Sequence, residues 1–197
     1  MAEDAFKISI SEGCGEYREK GSSFLGFAFP LDDEKILLEK ITELKKQHPK
    51  GRHFCYAYRI TEHNWRASDD GEPKHSAGTP ILHQIQSAEL YQTAVVVVRY
   101  FGGTKLGVPG LINAYKQAAS EALENTKSQE IWPTIPIHLT LSYEQYHHVL
   151  QLLTHYDYTD LENQHTEIVE MHLSIRESQL ENFEKQCVDM QIEMRRD

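Results

Sequence analysis

Hydrophobic and polar positions along this chain follow two periods, and each predicts a different kind of element. The clearest case is Val95–Val98, an unbroken apolar run. Four β-branched residues together predict a strand buried on both faces, since such side chains pack well on a pleated surface. Arg99, Tyr100 and Phe101 close the run, and a loop with Gly102, Gly103, Lys105 and Gly107 follows. Leu111, Ile112, Tyr115, Ala118, Ala119, Ala122 and Leu123 then recur at helical spacing, which predicts a helix over 109–125.

Upstream, Phe24 to Phe29 reads as a strand, and Asp32 to Lys46 as a helix capped by Asp32 and stopped by Pro49. Phe54, Tyr56, Tyr58 and Ile60 alternate with Cys55, Ala57 and Arg59, a strand with one aromatic face. A turn at His63-Asn64 leads into a short strand at Trp65–Ala67, and Ala77–Ser87 reads as a short helix. Strands covered by helices in this order predict an α+β layer. Pro133 and Pro136 mark an extended connector near Ile131. Beyond it a strand (135–141), a helical stripe at Tyr146, Val149, Leu150 and Leu153, strands near 156–162 and 167–175, a helix over 178–190 and a last strand at 191–195 complete a β-α-β-β-α-β order. That is the ferredoxin-like pattern. The chain therefore divides into two expected domains, 1–132 and 133–197.

Charge separates these halves. Of 20 Lys+Arg and 30 Asp+Glu, residues 1–132 hold 16 and 18, and residues 133–197 hold 4 and 12. Phosphate backbones are bound largely by cations that displace counterions. Contact with RNA is therefore expected of the first domain, and a protein partner or self-association of the acidic second. No DNA specificity and no membrane contact are expected. No apolar run approaches the roughly 18 residues of a membrane span, and the acidic start Met1–Lys7 lacks the regions of a signal peptide. Three cysteines far apart argue against a disulfide framework and for the cytoplasm.

A second segment carries candidate chemistry. Asp69, Asp70 and Glu72 lie within four residues of a turn rich in Gly and Pro, just before the helix at Ala77. Such carboxylates suit a hard cation such as Mg²⁺. Equally, Asp side chains in turns bond nearby backbone N–H groups. The spacing does not match an EF-hand, no metal is assigned, and no other cofactor is called for. Arg99, Lys105, Lys20 and Lys74 are candidate phosphate contacts, with Gly102, Gly103 and Gly107 allowing close backbone approach. Tyr56, Tyr58 and Tyr100 are candidate stacking faces for unpaired bases. The alternatives are core positions for Tyr56 and Tyr58, and an internal ion pair of Arg99 with Asp69 or Asp70. His53 and Cys55 share a strand face but lack a second pair at zinc spacing. A P-loop is excluded, because Val108 rather than lysine follows Gly107. No catalytic residue is assigned.

Taken in order, Lys20-Gly21-Ser22-Ser23-Phe24, His53 with Cys55-Tyr56-Ala57-Tyr58-Arg59, Ala67-Ser68-Asp69-Asp70-Gly71-Glu72-Pro73, Ala77-Gly78, Pro80-Ile81-Leu82 and Val97-Val98-Arg99-Tyr100-Phe101-Gly102-Gly103 through Lys105-Leu106-Gly107 resemble the IMPACT/YigZ family. The resemblance implies a first domain of the ribosomal protein S5 domain 2-like fold and a small ferredoxin-like domain similar to the C-terminal domain of elongation factor G. It implies a link to translation. Lys74-His75-Ser76, Pro109 and Asn113 depart from the usual pattern, and Asn113 stands where an arginine is frequent. The expected function is a non-enzymatic, translation-linked regulator. It would bind RNA or a ribosome-associated partner in a cleft between the Ser68–Lys74 turn and the Arg99–Asn113 segment. Asn113 would sit beside the phosphates. The alternatives are a metal-dependent hydrolase or transferase on a phosphate-bearing substrate, and a protein–protein adaptor.

Overall fold

The computed structural model describes residues 5–196, so the first residues of the acidic N-terminal segment lie outside it. In chain order, β1 (Phe6–Ser9), β2 (Gly13–Glu19) and β3 (Ser22–Pro30) precede α1 (Glu34–Gln47). Then come β4 (His53–Arg59), β5 (Trp65–Ser68), α2 (Gly78–Ser87), β6 (Leu90–Tyr91), β7 (Thr93–Tyr100), α3 (Gly107–Glu124) and β8 (Ser128–Ile131). Asp33 caps α1 rather than Asp32: it is extended, and its carboxylate accepts from Lys35 N–H at 2.9 Å. Phe6–Ile131 forms one compact unit, and the residues from Trp132 onward belong to another.

β7 carries the valines through the middle of an antiparallel sheet ordered β2-β3-β7-β4-β5. Both of its faces are covered, which accounts for the unbroken apolar run. Val96 and Val98 pack with Phe29, Phe54 and Tyr58 beneath Leu37 and Leu44 of α1. Val95 and Val97 pack with Phe24 and Cys55 beneath α2 and α3. α3 turns Ala114, Ala118, Ala119 and Ala122 inward, and Gly13, Gly15 and Gly26 lie under it, so helix and sheet meet at backbone distance. A smaller sheet joins β6, β1 and β8, with β1 parallel to β6. Its short, weakly patterned strands, and the mixed β2, carry little hydrophobic periodicity.

The second unit runs β9 (Thr134–Leu141), α4 (Tyr143–Leu153), β10 (Tyr158–His165), β11 (Val169–Arg176), α5 (Glu177–Asp189) and β12 (Glu193–Arg196). The sheet order β10-β11-β9-β12 is fully antiparallel, as the ferredoxin-like order requires. Ile137, Leu139, Leu141, Val169, Met171, Leu173 and Ile175 alternate inward against Val149, Leu153, Leu180 and Phe183 of the two helices. Ser142 caps α4 in a capping box with Gln145. No helix among the described residues is long and apolar enough to cross a membrane.

Candidate functional site

Two hydrogen-bonding patterns organise the acidic turn. β5 ends at Ser68, and the next residues take over its role beside β4. The Asp70 carboxylate accepts the Phe54 N–H at 2.6 Å, and His53 Nδ1 donates to the Asp70 carbonyl at 2.8 Å. Asp69 faces the other way. Its Oδ1 accepts from Ala77 N–H at 3.0 Å and Gly78 N–H at 2.8 Å, and its Oδ2 from His75 N–H at 2.8 Å. α2 has no cap from its own flanking side chain, so Asp69 caps it from a distance. Asp69→Ala is expected to cost roughly 2 kcal/mol, read as a lower urea midpoint with an unchanged slope. A loss indistinguishable from zero would show that the cap is dispensable.

Glu72 points inward. Arg99 Nη1 donates to its Oε1 at 2.5 Å, and the Tyr115 hydroxyl donates to the same oxygen at 2.9 Å. The two charged side chains are 7% and 4% exposed. The Cys55 thiol lies 3.3 Å from the Tyr115 hydroxyl and 3.0 Å from the Asp69 carbonyl oxygen. Burial pushes the Cys55 thiol and the Tyr115 hydroxyl well above their usual ranges, so both stay protonated. A thiol held neutral is a poor nucleophile and a poor metal ligand. Arg99 Nε is buried with no hydrogen-bond partner among the described residues.

The glycine loop is shaped by the β2–β3 hairpin. Lys20 and Gly21 both have positive φ, 47° and 79°, the backbone signature of a tight two-residue turn. This turn lies directly on Gly102, where a Cβ would meet Gly21 and Ser22 backbone atoms at 1.9–2.2 Å. Gly102 N–H donates to the buried Ser22 hydroxyl at 3.1 Å. The Lys20-Gly21-Ser22 and Gly102-Gly103 motifs, eighty residues apart, are thus one backbone contact.

Several expectations change here. Arg99 does not face solvent as a phosphate contact; its guanidinium goes to Glu72, and its ion-pair partner is neither Asp69 nor Asp70. Tyr58 is a core residue whose hydroxyl donates to Glu34 at 2.5 Å, and Tyr56 packs partly buried in the same α1-side core, so neither is a free stacking face. The Tyr100 hydroxyl is held 2.8 Å from His48 Nδ1. Asn113 reaches across to the Tyr17 hydroxyl at 3.2 Å. Each carboxylate of the turn accepts from protein donors, Asp70 from β4, Asp69 from the start of α2 and Glu72 from Arg99 and Tyr115, so the three turn in different directions. No cluster of three or more His, Cys, Asp or Glu able to hold a metal occurs among the described residues. Lys20, Lys74 and Lys105 are exposed and make no ion pair among those residues. The acidic turn and the post-valine segment do meet, but as a buried pair. Tyr115 is the member of this network that periodicity hid, because its place in the apolar stripe of α3 marks it only as core.

This interlock occupies the middle of a known domain: residues 20–123 match the Impact N-terminal domain. The chain belongs to the Impact family. The IMPACT family member YvyE of Bacillus subtilis is 43% identical over 106 residues, 53% of this chain and 49% of YvyE. The match thus spans about half the length of that relative. The IMPACT family member of Haemophilus influenzae is 32% identical over 163 residues, 81% of this chain and 78% of that protein. A crystal structure of a hypothetical protein shares the fold, with a TM-score of 0.69, 24% identity and coverage of 97% and 96% of the two chains. The two-domain translational regulator Yih1 aligns with a TM-score of only 0.35 and 23% identity, over 64% of this chain and 48% of that one, too little for a structural comparison. The matched stretch contains every residue of the Glu72–Arg99–Tyr115 network and of the Gly21–Gly102 contact.

Proposed function

We propose that this Impact-family protein is a non-enzymatic, translation-linked regulator of the cytoplasm. It binds RNA or a ribosome-associated partner through its first unit. The binding face comprises the hairpin turn at Lys20, the loop at Gly103–Lys105 and the start of α3, with Lys74 as a further cation. Membership of a family with translation-linked members supports the role. The observation that carries the binding face is the Gly21–Gly102 contact, which sets the loops bearing Lys20 and Lys105 side by side. Arg99, Glu72, Asp69 and Asp70 hold this frame together and are not part of the binding chemistry. The acidic second unit serves a protein partner or self-association.

Pelleting of the full chain with purified ribosomes over a salt series tests this. Binding is expected to weaken with salt, and the Lys20→Ala/Lys105→Ala double variant to bind roughly tenfold less with a salt slope shallower by about two. Binding absent at low salt, or unchanged in the double variant, would overturn the proposal.

A further inference from the structure

We infer that the partner of this face is a protein segment carrying apolar anchors flanked by acidic side chains, rather than RNA. This rests on the binding role proposed above and names its partner. The segment from Phe101 into the first turns of α3 exposes three large apolar side chains: Phe101 at 38%, Val108 at 46% and Ile112 at 39%. Val108 and Ile112 are four apart and share one helix face. They lie outside the stripe of Leu111, Ala114, Tyr115 and Ala118 that packs into the core, so the fold does not need them apolar. The Arg52 guanidinium lies 5.3 Å from the Phe101 ring centroid, a cation set beside the exposed ring.

The surroundings of this patch supply its complement. Lys116 follows Ile112 by four on the same helix, and Lys105 stands in the loop two residues before α3 begins, so cations flank the apolar positions in both chain directions. Both are exposed and make no ion pair among the described residues. The first turn of α3 holds no acidic residue of its own, so its positive end also favours an incoming carboxylate. An apolar centre with a charged rim is the usual anatomy of a protein–protein interface. RNA would gain little here. Phe101 is a single exposed ring, while Val108 and Ile112 beside it offer no flat face for a base and no charge for a phosphate; Tyr56 and Tyr58 are packed into the core, and Arg99 is neutralised by Glu72.

The test pans a random peptide library displayed on phage against the full chain and against its Val108→Asp/Ile112→Asp variant, both checked for native circular dichroism. Enriched peptides are expected to combine Asp or Glu with Leu, Ile or Phe, and to bind the variant roughly tenfold more weakly or worse. Basic peptides, peptides indifferent to the variant, or no enrichment over an unrelated protein would overturn the inference. The ribosome pelleting assay, run on the same variant, separates the two levels. Ribosome binding lost with Lys20→Ala/Lys105→Ala but retained in Val108→Asp/Ile112→Asp sinks the protein-segment inference and keeps the binding role. Absence of ribosome binding in the unaltered chain sinks the role itself, whichever peptides are enriched.

Discussion

Gly102→Ala is expected to destabilise the protein by roughly 3 kcal/mol or more, and the bulkier Gly102→Val is expected to yield no folded form. The added Cβ would lie 1.9 Å from the Gly21 carbonyl carbon, 2.1 Å from its oxygen and 2.2 Å from Ser22 N. These are backbone atoms of a tight turn, so no rotamer change relieves the overlap. Relief requires the hairpin to lift from the loop, which breaks the Gly102 N–H bond to Ser22 and exposes a buried hydroxyl. Gly103→Ala is the matched control. It meets nothing within 4 Å, and its φ of +89° leaves backbone strain alone, about 1–3 kcal/mol. Urea unfolding of the two variants should show the larger loss at Gly102. Equal losses would mean that the hairpin yields easily and that the two motifs are not rigidly joined.

Arg99→Ala and Glu72→Ala should each cost about 3–5 kcal/mol, the range for removing one partner of a buried ion pair. Taking away the guanidinium leaves Glu72 with the Tyr115 hydroxyl as its remaining donor in the same buried position. Taking away the carboxylate leaves an unpaired cation whose Nε already lacks a partner among the described residues. Any loss of partner binding in Arg99→Ala should therefore follow the folded fraction, and disappear when binding is measured per folded molecule. A variant of wild-type stability that no longer binds would restore Arg99 to the binding surface.

Much of the fold was legible because its strongest signals are periodic. The valine run, the α3 stripe and the alternation in β9 and β11 each name an element and its buried face. β1, β6 and β8 were not legible, being two to four residues long with mixed side chains. Alternation in β4 correctly separated Tyr56 and Tyr58 from Cys55 and Ala57, yet could not tell which face solvent would reach. Neither face is open, since α1 covers one side and α2 with α3 the other.

The site was legible only as two segments. Three carboxylates in four residues do not show which turns inward; that is set by the positive φ values of 42° at Asp70 and 86° at Gly71, which swing Glu72 toward Arg99. Likewise, Gly102 and Gly103 read alike in sequence, and only the hairpin turn lying on Gly102 tells a packing glycine from one in open space. The exposure of Val108 and Ile112 became visible once the inward side of α3 was known.

A double-mutant cycle between Glu72→Leu and Arg99→Met, followed by urea unfolding, bears most directly on the claim that these two residues clasp the acidic turn to the central strand. Each single variant should lose stability strongly, and the double variant should be more stable than either, with a coupling of about 2 kcal/mol or more. Losses that simply add would show the two side chains to be independent, and the clasp would have to be abandoned.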